Sequence, residues 1–193
     1  MPGRRRAARV FAILIAMSMD ITPVLAQNLE EKAQICSACH GENGVPQERT
    51  TPIIWGQHQG YTYIQLRDYK RGTRKDEQMT AIVADMDRND MMALAEYFSK
   101  KPWPNLQQLR ADEATTMRAL RANVAVNCTG CHLGEYQGDG TVPRLAGQSA
   151  EYMSKTIAQF RTRERANNPG MSDLMIATSP DDLAALVAYL AGR

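Results

Sequence analysis

Two short motifs place chemically able side chains at a fixed spacing. Cys36-Ser37-Ala38-Cys39-His40 recurs as Cys128-Thr129-Gly130-Cys131-His132, displaced by 92 positions. Four thiols admit several chemistries. Each pair closed on itself would form a thioredoxin-like redox site, but that needs a strand–helix–strand setting, and the sequence lacks one. One zinc held by all four would need a spacer much shorter than 92 residues, and two separate domains would have to share it. The third chemistry is covalent haem c. Thiols at i and i+3 of a helix face one side, where each can add to a vinyl group of the porphyrin. The adjacent histidine is then held beneath the iron as its proximal ligand. A single motif would be weak support. Two copies, each with a methionine 40 residues after its second cysteine, make haem the reading carried forward.

The repeat also tests the methionines. Eight follow residue 26, and the ordinary role of any one is core packing. Aligning the copies sets Met86 opposite Thr178, Met91 opposite Leu183 and Met175 opposite Val83. Met92 stands opposite Ala184 and has no claim. Only Met79 and Met171 coincide. They are the expected sixth ligands, with Met175 the rival in the second copy. The expected site is therefore Cys36, Cys39, Cys128 and Cys131 bonded to two haem c groups, with His40, Met79, His132 and Met171 as axial iron ligands. A thioether is soft and favours ferrous iron, which raises the reduction potential. An iron held from both sides keeps no open position, so the expected function is outer-sphere electron transfer. No catalytic residue is expected.

The elements that must position these groups read as helices. The offset of 92 also carries Asp90, Ala93, Leu94 and Tyr97 onto Asp182, Ala185, Leu186 and Tyr189. Between these blocks it slips to 91, where Pro52, Gly56, Gln57 and Tyr61 land on Pro143, Gly147, Gln148 and Tyr152. This is a duplicated domain. Residues 87–99 begin at Asp87, a candidate N-cap, and place Met91, Leu94 and Phe98 on one face. Ser179-Pro180-Asp181-Asp182 opens the matching helix, with Leu183, Leu186, Val187 and Leu190 as its stripe. Middle helices are expected near residues 61–71 and 149–163, and helices leading into the cysteines over 29–38 and 112–129. No alternating strand pattern appears. Pro102 and Pro104 prevent a continuous helix between the copies, so the domains are expected at 27–101 and 111–193, joined by a linker at 102–110. Each domain of ~80 residues has little apolar area to bury, which fits a cofactor filling its centre.

The start of the chain reads as an export signal. Arg4, Arg5, Arg6 and Arg9 precede the apolar run Val10–Met19, and Val24-Leu25-Ala26 offers a cleavage site. That run is too short to span a bilayer, and an uncleaved anchor is the weaker alternative. A signal peptide over residues 1–26 implies a periplasmic protein. Without it the formal charge moves from +2 to −1, a nearly neutral balance that gives no support for nucleic-acid binding, which needs a basic face.

On these residues the chain resembles the cytochrome c-four family, two-domain dihaem cytochromes of the class I type, over nearly all its length after residue 26. The resemblance rests on the paired Cys-x-x-Cys-His motifs, the Pro-x-x-x-Gly-Gln segments Pro52–Gln57 and Pro143–Gln148, the two aligned methionines and the terminal helices ending in Tyr97 and Tyr189. It implies an all-α fold of two tandem class I cytochrome c domains, each a small helical bundle around a covalent haem, its first and last helices crossed. It implies that the carbonyls of Pro52 and Pro143 accept from His40 and His132 and orient them. It also implies a periplasmic carrier in a respiratory chain, whose partners are an electron donor and a terminal oxidase or other acceptor. Peripheral association with the inner membrane is compatible with that role. Two positions depart from the family pattern: Trp55, where a smaller residue is usual, and the glycine-rich loop 134–140.

The other features read more plainly. His58 stands opposite Ser149 and is expected to be a loop histidine. Lys70, Arg71, Arg74 and Lys75, with Arg161, Arg163 and Arg165, form basic ends to the middle helices and are expected to be a solvated face beside the negative helix terminus. Steering an acidic partner or neutralising haem propionates is the alternative for them. Trp103 has no placement from sequence. The competing function is an electron-transfer subunit of a dehydrogenase, such as a flavoprotein oxidising sulfide or an alcohol. A dihaem peroxidase would need an open iron position and a longer chain.

Overall fold

The computed structural model describes residues 23–193, with side chains from Leu29 onward. The leader expected over residues 1–26 lies outside the described residues except for its last four. Nine helices form among the described residues: α1 Pro23–His40, α2 Gln59–Lys70, α3 Glu77–Val83, α4 Arg88–Ser99, α5 Glu113–Val126, α6 Cys128–His132, α7 Ala150–Arg161, α8 Pro169–Ala177 and α9 Pro180–Ala191. No strand forms there beyond one isolated bridge between Asp139 and Val142. The fold is all-α.

The same packing occurs twice. α1 packs on α4, and α2 on α3 and α4; in the second half α5 packs on α9, and α7 on α8 and α9. First and last helices meet in each half. The terminal helices start where their caps require. The Asp87 carboxylate accepts from Asp90 N at 2.8 Å while Asp90 accepts from Asp87 N, closing a reciprocal cap. Ser179 Oγ accepts from Asp182 N at 3.2 Å, with Pro180 at the first helical position. Such a cap contributes ~1 kcal/mol. Met91, Leu94 and Phe98 then bury against Ala33, Tyr69 and Val83 in the first half. Leu183 and Leu186 bury against Ala119, Ala122 and Phe160 in the second. Each such side chain contributes ~1.5–3 kcal/mol when fully buried.

The structure departs from expectation in three places. The helix into the first motif runs unbroken through His40, whereas its counterpart stops at Val126 and restarts at Cys128. The break sits at Asn127, which has φ 56°. Asparagine tolerates that left-handed conformation, while its counterpart Ile35 is β-branched and does not. Helices α3 and α8, which carry Met79 and Met171, had no clear sequence signature. They are short, seven and nine residues, and rest on the caps Asp76 and Asn168.

The third departure corrects the basic helix ends. Arg71 and Arg163 are exposed as expected, but Arg74 and Arg165 are only 6% and 5% exposed. Lys70 Nζ donates to Met86 O at 2.6 Å, and the aligned Arg161 donates to Met175 O and Thr178 O at 2.6 and 2.7 Å. These cations tie the middle helices to neighbouring carbonyls. They do not form a uniform solvated face.

Candidate functional site

The first cysteine motif ends α1, which packs on α4; the second forms the short helix α6, which follows the break after α5, the helix that packs on α9. In α1 the thiols of Cys36 and Cys39 lie three positions apart and the ring of His40 follows, so Cys36 shares a face with both. Burial pushes the Cys36 thiol up to about 11, and it also raises Cys128. None of the four cysteines is disulfide-bonded. Thioredoxin-type sites work through the opposite shift, a thiol pulled well below its ordinary range. Cys36 and Cys128 are shifted the other way.

The histidines are held the same way in both halves. His40 Nδ1 donates to Pro52 O at 2.8 Å, and His132 Nδ1 donates to Pro143 O at 3.0 Å. With Nδ1 carrying the proton, Nε2 keeps its lone pair and is the nitrogen free to bind a metal. Burial lowers the pKa of both rings, the proline carbonyls opposing it, so the imidazoles stay neutral. A neutral imidazole is the form that binds metal.

Met79 and Met171 occupy matching positions. Met79 N donates to Asp76 Oδ1 at 3.1 Å, and Met171 N donates to Asn168 Oδ1 at 3.2 Å, each at the third residue of its capped helix. Met79 and Cys36 pack against one core; Met171 and Cys128 pack against the other. Gln78 Nε2 lies 3.9 Å from Cys39 Sγ, which brings α3 alongside the first motif. Met175 is buried within the second core, where its counterpart Val83 is buried in the first. Each half thus sets its first cysteine and its aligned methionine against one core, with the adjacent histidine held by a proline carbonyl.

Buried polar groups support a cofactor at those centres. Trp55 Nε1 and Tyr136 OH are buried without a protein partner among the described residues. Trp55 packs on the core that Cys36 borders, and Tyr136 belongs to a core that Cys128 borders. A buried donor left unpaired costs ~1–3 kcal/mol, and a bound group carrying acceptor atoms would relieve it. With sulfur and imidazole as the donor set, the residues fit haem c.

The junction between the halves was not foreseen. Arg74 Nη2 donates to Tyr152 OH at 3.1 Å, and Arg165 Nη2 donates to Tyr61 OH at 3.2 Å. Both guanidiniums also donate to Gln65 Oε1 at 2.9 Å. Arg74 stacks over Tyr69, and Arg165 over the aligned Phe160, each 4.5 Å from the ring centroid. Arg74 pairs with Arg165 and Tyr61 with Tyr152 at the offset of 91, so the signal was present in the repeat. Trp103 also packs here, with Arg144 4.6 Å over its ring, and His58 Nε2 donates to Gln137 O at 2.8 Å.

Burial opposes ionisation of Tyr152, but Arg74 and Arg165 outweigh it and pull the phenol down to about 7. An unfolded tyrosine titrates near ~10. Between these values the unfolded chain holds a proton that the folded one has lost, so stability rises with pH. The contribution is complete above ~10 and vanishes as pH falls through about 7. Denaturation midpoints of wild type and Tyr152→Phe should therefore diverge as pH rises across that window. Parallel curves would remove the ionised phenol from the junction.

Comparison with known proteins gives concordant matches. A family model described as cytochrome c matches residues 119–193. The chain is 34% identical to cytochrome c4 of Azotobacter vinelandii over 179 residues, covering 83% of this chain and 85% of that protein. It is 31% identical to the thiosulfate dehydrogenase electron acceptor of Stutzerimonas stutzeri, covering 95% of this chain and 92% of that one. Its fold matches reduced cytochrome c4 from Pseudomonas stutzeri with a TM-score of 0.75 at 29% identity, over 86% of this chain and 97% of that one.

Proposed function

The chain belongs to the cytochrome c4 family, dihaem electron-transfer cytochromes with covalently bound haem c, and we propose that it is a periplasmic carrier serving a respiratory chain through two His/Met-ligated haems. In this reading the domains are 27–101 and 111–193, with 102–110 joining them. Residues 1–26 are an export signal. Bound haem c supplies an iron that takes up and gives away one electron. Everything else falls to the chain. Cys36 with Cys39, and Cys128 with Cys131, bond the two porphyrins through sulfur. His40 and His132 present neutral Nε2 because Pro52 and Pro143 hold Nδ1–H. Met79 and Met171 would each supply a thioether to the iron, a soft donor that favours the ferrous state. With a histidine and a methionine holding each iron, no position would remain for a substrate, so the chain would pass electrons without transforming one.

One observation carries this reading: in both halves a cysteine and the aligned methionine border one core, with the same proline contact on the histidine and the same cap contact on the methionine. A second reading has support of its own. The relative named as an electron acceptor of thiosulfate dehydrogenase aligns with 95% of this chain, which favours a dehydrogenase as the electron donor. The test is a pair of rates on holoprotein matured in a haem c-competent host. A respiratory carrier, once reduced, should be reoxidised rapidly by membranes bearing a terminal oxidase. Reduction by a thiosulfate-oxidising dehydrogenase with no turnover on those membranes would favour the second reading. Failure of both rates would sink the carrier function.

A further inference from the structure

Gln57 and Gln148, buried at 4% and 3% exposure, reach across the junction in a reciprocal pattern. Gln148 Oε1 accepts from Ile53 N at 2.9 Å, and its Nε2 donates to Ile53 O at 3.1 Å. Gln57 does the same to Arg144: Oε1 accepts from Arg144 N at 2.9 Å and Nε2 donates to Arg144 O at 3.1 Å. Gln57 aligns with Gln148 and Ile53 with Arg144 at the offset of 91, so the clasp is two-fold.

The clasped residues directly follow the prolines that hold the histidines. The carbonyl of Pro52 and the N–H of Ile53 belong to one peptide group. A relay therefore runs from His40 Nδ1–H to Pro52 O, through that peptide, and from Ile53 N–H to Gln148 Oε1. The mirror relay runs from His132 Nδ1–H through the Pro143–Arg144 peptide to Gln57 Oε1. Hydrogen bonds in such a chain polarise one another, most strongly where water is excluded. An acceptor on the N–H makes the carbonyl of the same peptide a stronger acceptor, and a stronger partner at Nδ1 makes Nε2 more basic.

We infer that Gln57 and Gln148 are positioning residues for the proximal histidine of the opposite domain, so that each haem's potential is tuned across the junction. The inference rests on the ligand assignment above. A more basic imidazole favours ferric iron and lowers the potential. Loss of the Gln148 oxygen should therefore raise the midpoint of the N-terminal haem. Loss of the Gln57 oxygen should raise that of the C-terminal haem.

The experiment is a redox titration of holoprotein carrying Gln148→Met or Gln148→Glu, with the matching Gln57 pair. It is read together with the Nδ1–H nuclear magnetic resonances of ¹⁵N-histidine-labelled, fully reduced protein. Gln148→Met should move the His40 signal and raise the N-terminal midpoint, leaving His132 and its haem in place. Gln148→Glu keeps an acceptor for Ile53 N and should leave that midpoint at the wild-type value or below. If both variants shift it upward, or if the same-domain histidine responds, the glutamine only glues the domains and the inference falls. A crossed response of the histidine signals without any change in midpoint would leave the clasp standing and overturn the iron-ligand assignment instead.

Discussion

Replacing Cys36 and Cys39 together by alanine should yield a chain that carries one haem instead of two. Intact-mass measurement should show the loss of one porphyrin, and haem absorbance per chain should fall by half. The reasoning is local. The two thiols lie three positions apart on α1, and Cys36 packs against the core of Ala33, Tyr69, Val83, Met86, Met91, Leu94 and Phe98. That core is small for a half of ~80 residues, where cofactors commonly supply missing stability. With no thioether bond the porphyrin is free to leave, and the Trp55 indole keeps its unpaired donor. The first domain should then melt in its own transition below the wild-type one. The second domain should suffer too, because the first supplies Arg74, Tyr61 and Gln57 to the junction. Cys128→Ala with Cys131→Ala should give the mirror result. Two porphyrin masses retained on the alanine chain would sink the assignment of these cysteines.

The features legible in sequence were those whose cause is local or duplicated. Asp87 and Ser179 announce their helices because a cap needs only the next three residues. The stripes on α4 and α9 are legible because helical periodicity is a property of one segment. Met79 and Met171 are the two methionines that the copies share, and each takes the third position of its capped helix. What escaped depends on partners distant in the chain. Arg74 and Arg165 look like solvated helix ends until the opposite domain supplies Tyr152 and Tyr61. The αL break at Asn127 looks like helix because residues 113–126 before it are good helix, and only backbone conformation separates it from Ile35. α3 and α8 are too short for a periodic signal, and their caps count only once the Met79 and Met171 N–H groups turn toward them. The clasp by Gln57 and Gln148 combines both lessons. The repeat displays the residues, and the three-dimensional junction gives them their targets.

Met171→Leu should lower the potential of the C-terminal haem and abolish that haem's share of the weak near-infrared sulfur-to-iron band, whereas Met175→Leu should do neither. Sequence alone leaves these two methionines in competition four residues apart, one helical turn on α8. Their surroundings separate them. Met175 is buried among Ala119, Phe160, Leu183 and Leu186, as Val83 is in the first core. It has a packing role that a leucine of similar volume can fill at a cost below ~1.5 kcal/mol. Met171 is only half-buried and borders that core beside Cys128, at the position Met79 takes on α3. Leucine there preserves bulk but removes the sulfur, so the iron loses a soft ligand that favours its reduced form. Axial ligand choice spans ~0.8 V among haem proteins, and exchange of this ligand should cover on the order of a tenth of that or more. Met79→Leu should act equally on the N-terminal haem. Each variant is read by redox titration with optical detection, alongside a denaturation midpoint to register packing. If Met175→Leu erases the band and Met171→Leu spares it, the thioether comes from inside the core and the repeat alignment misassigns the second iron.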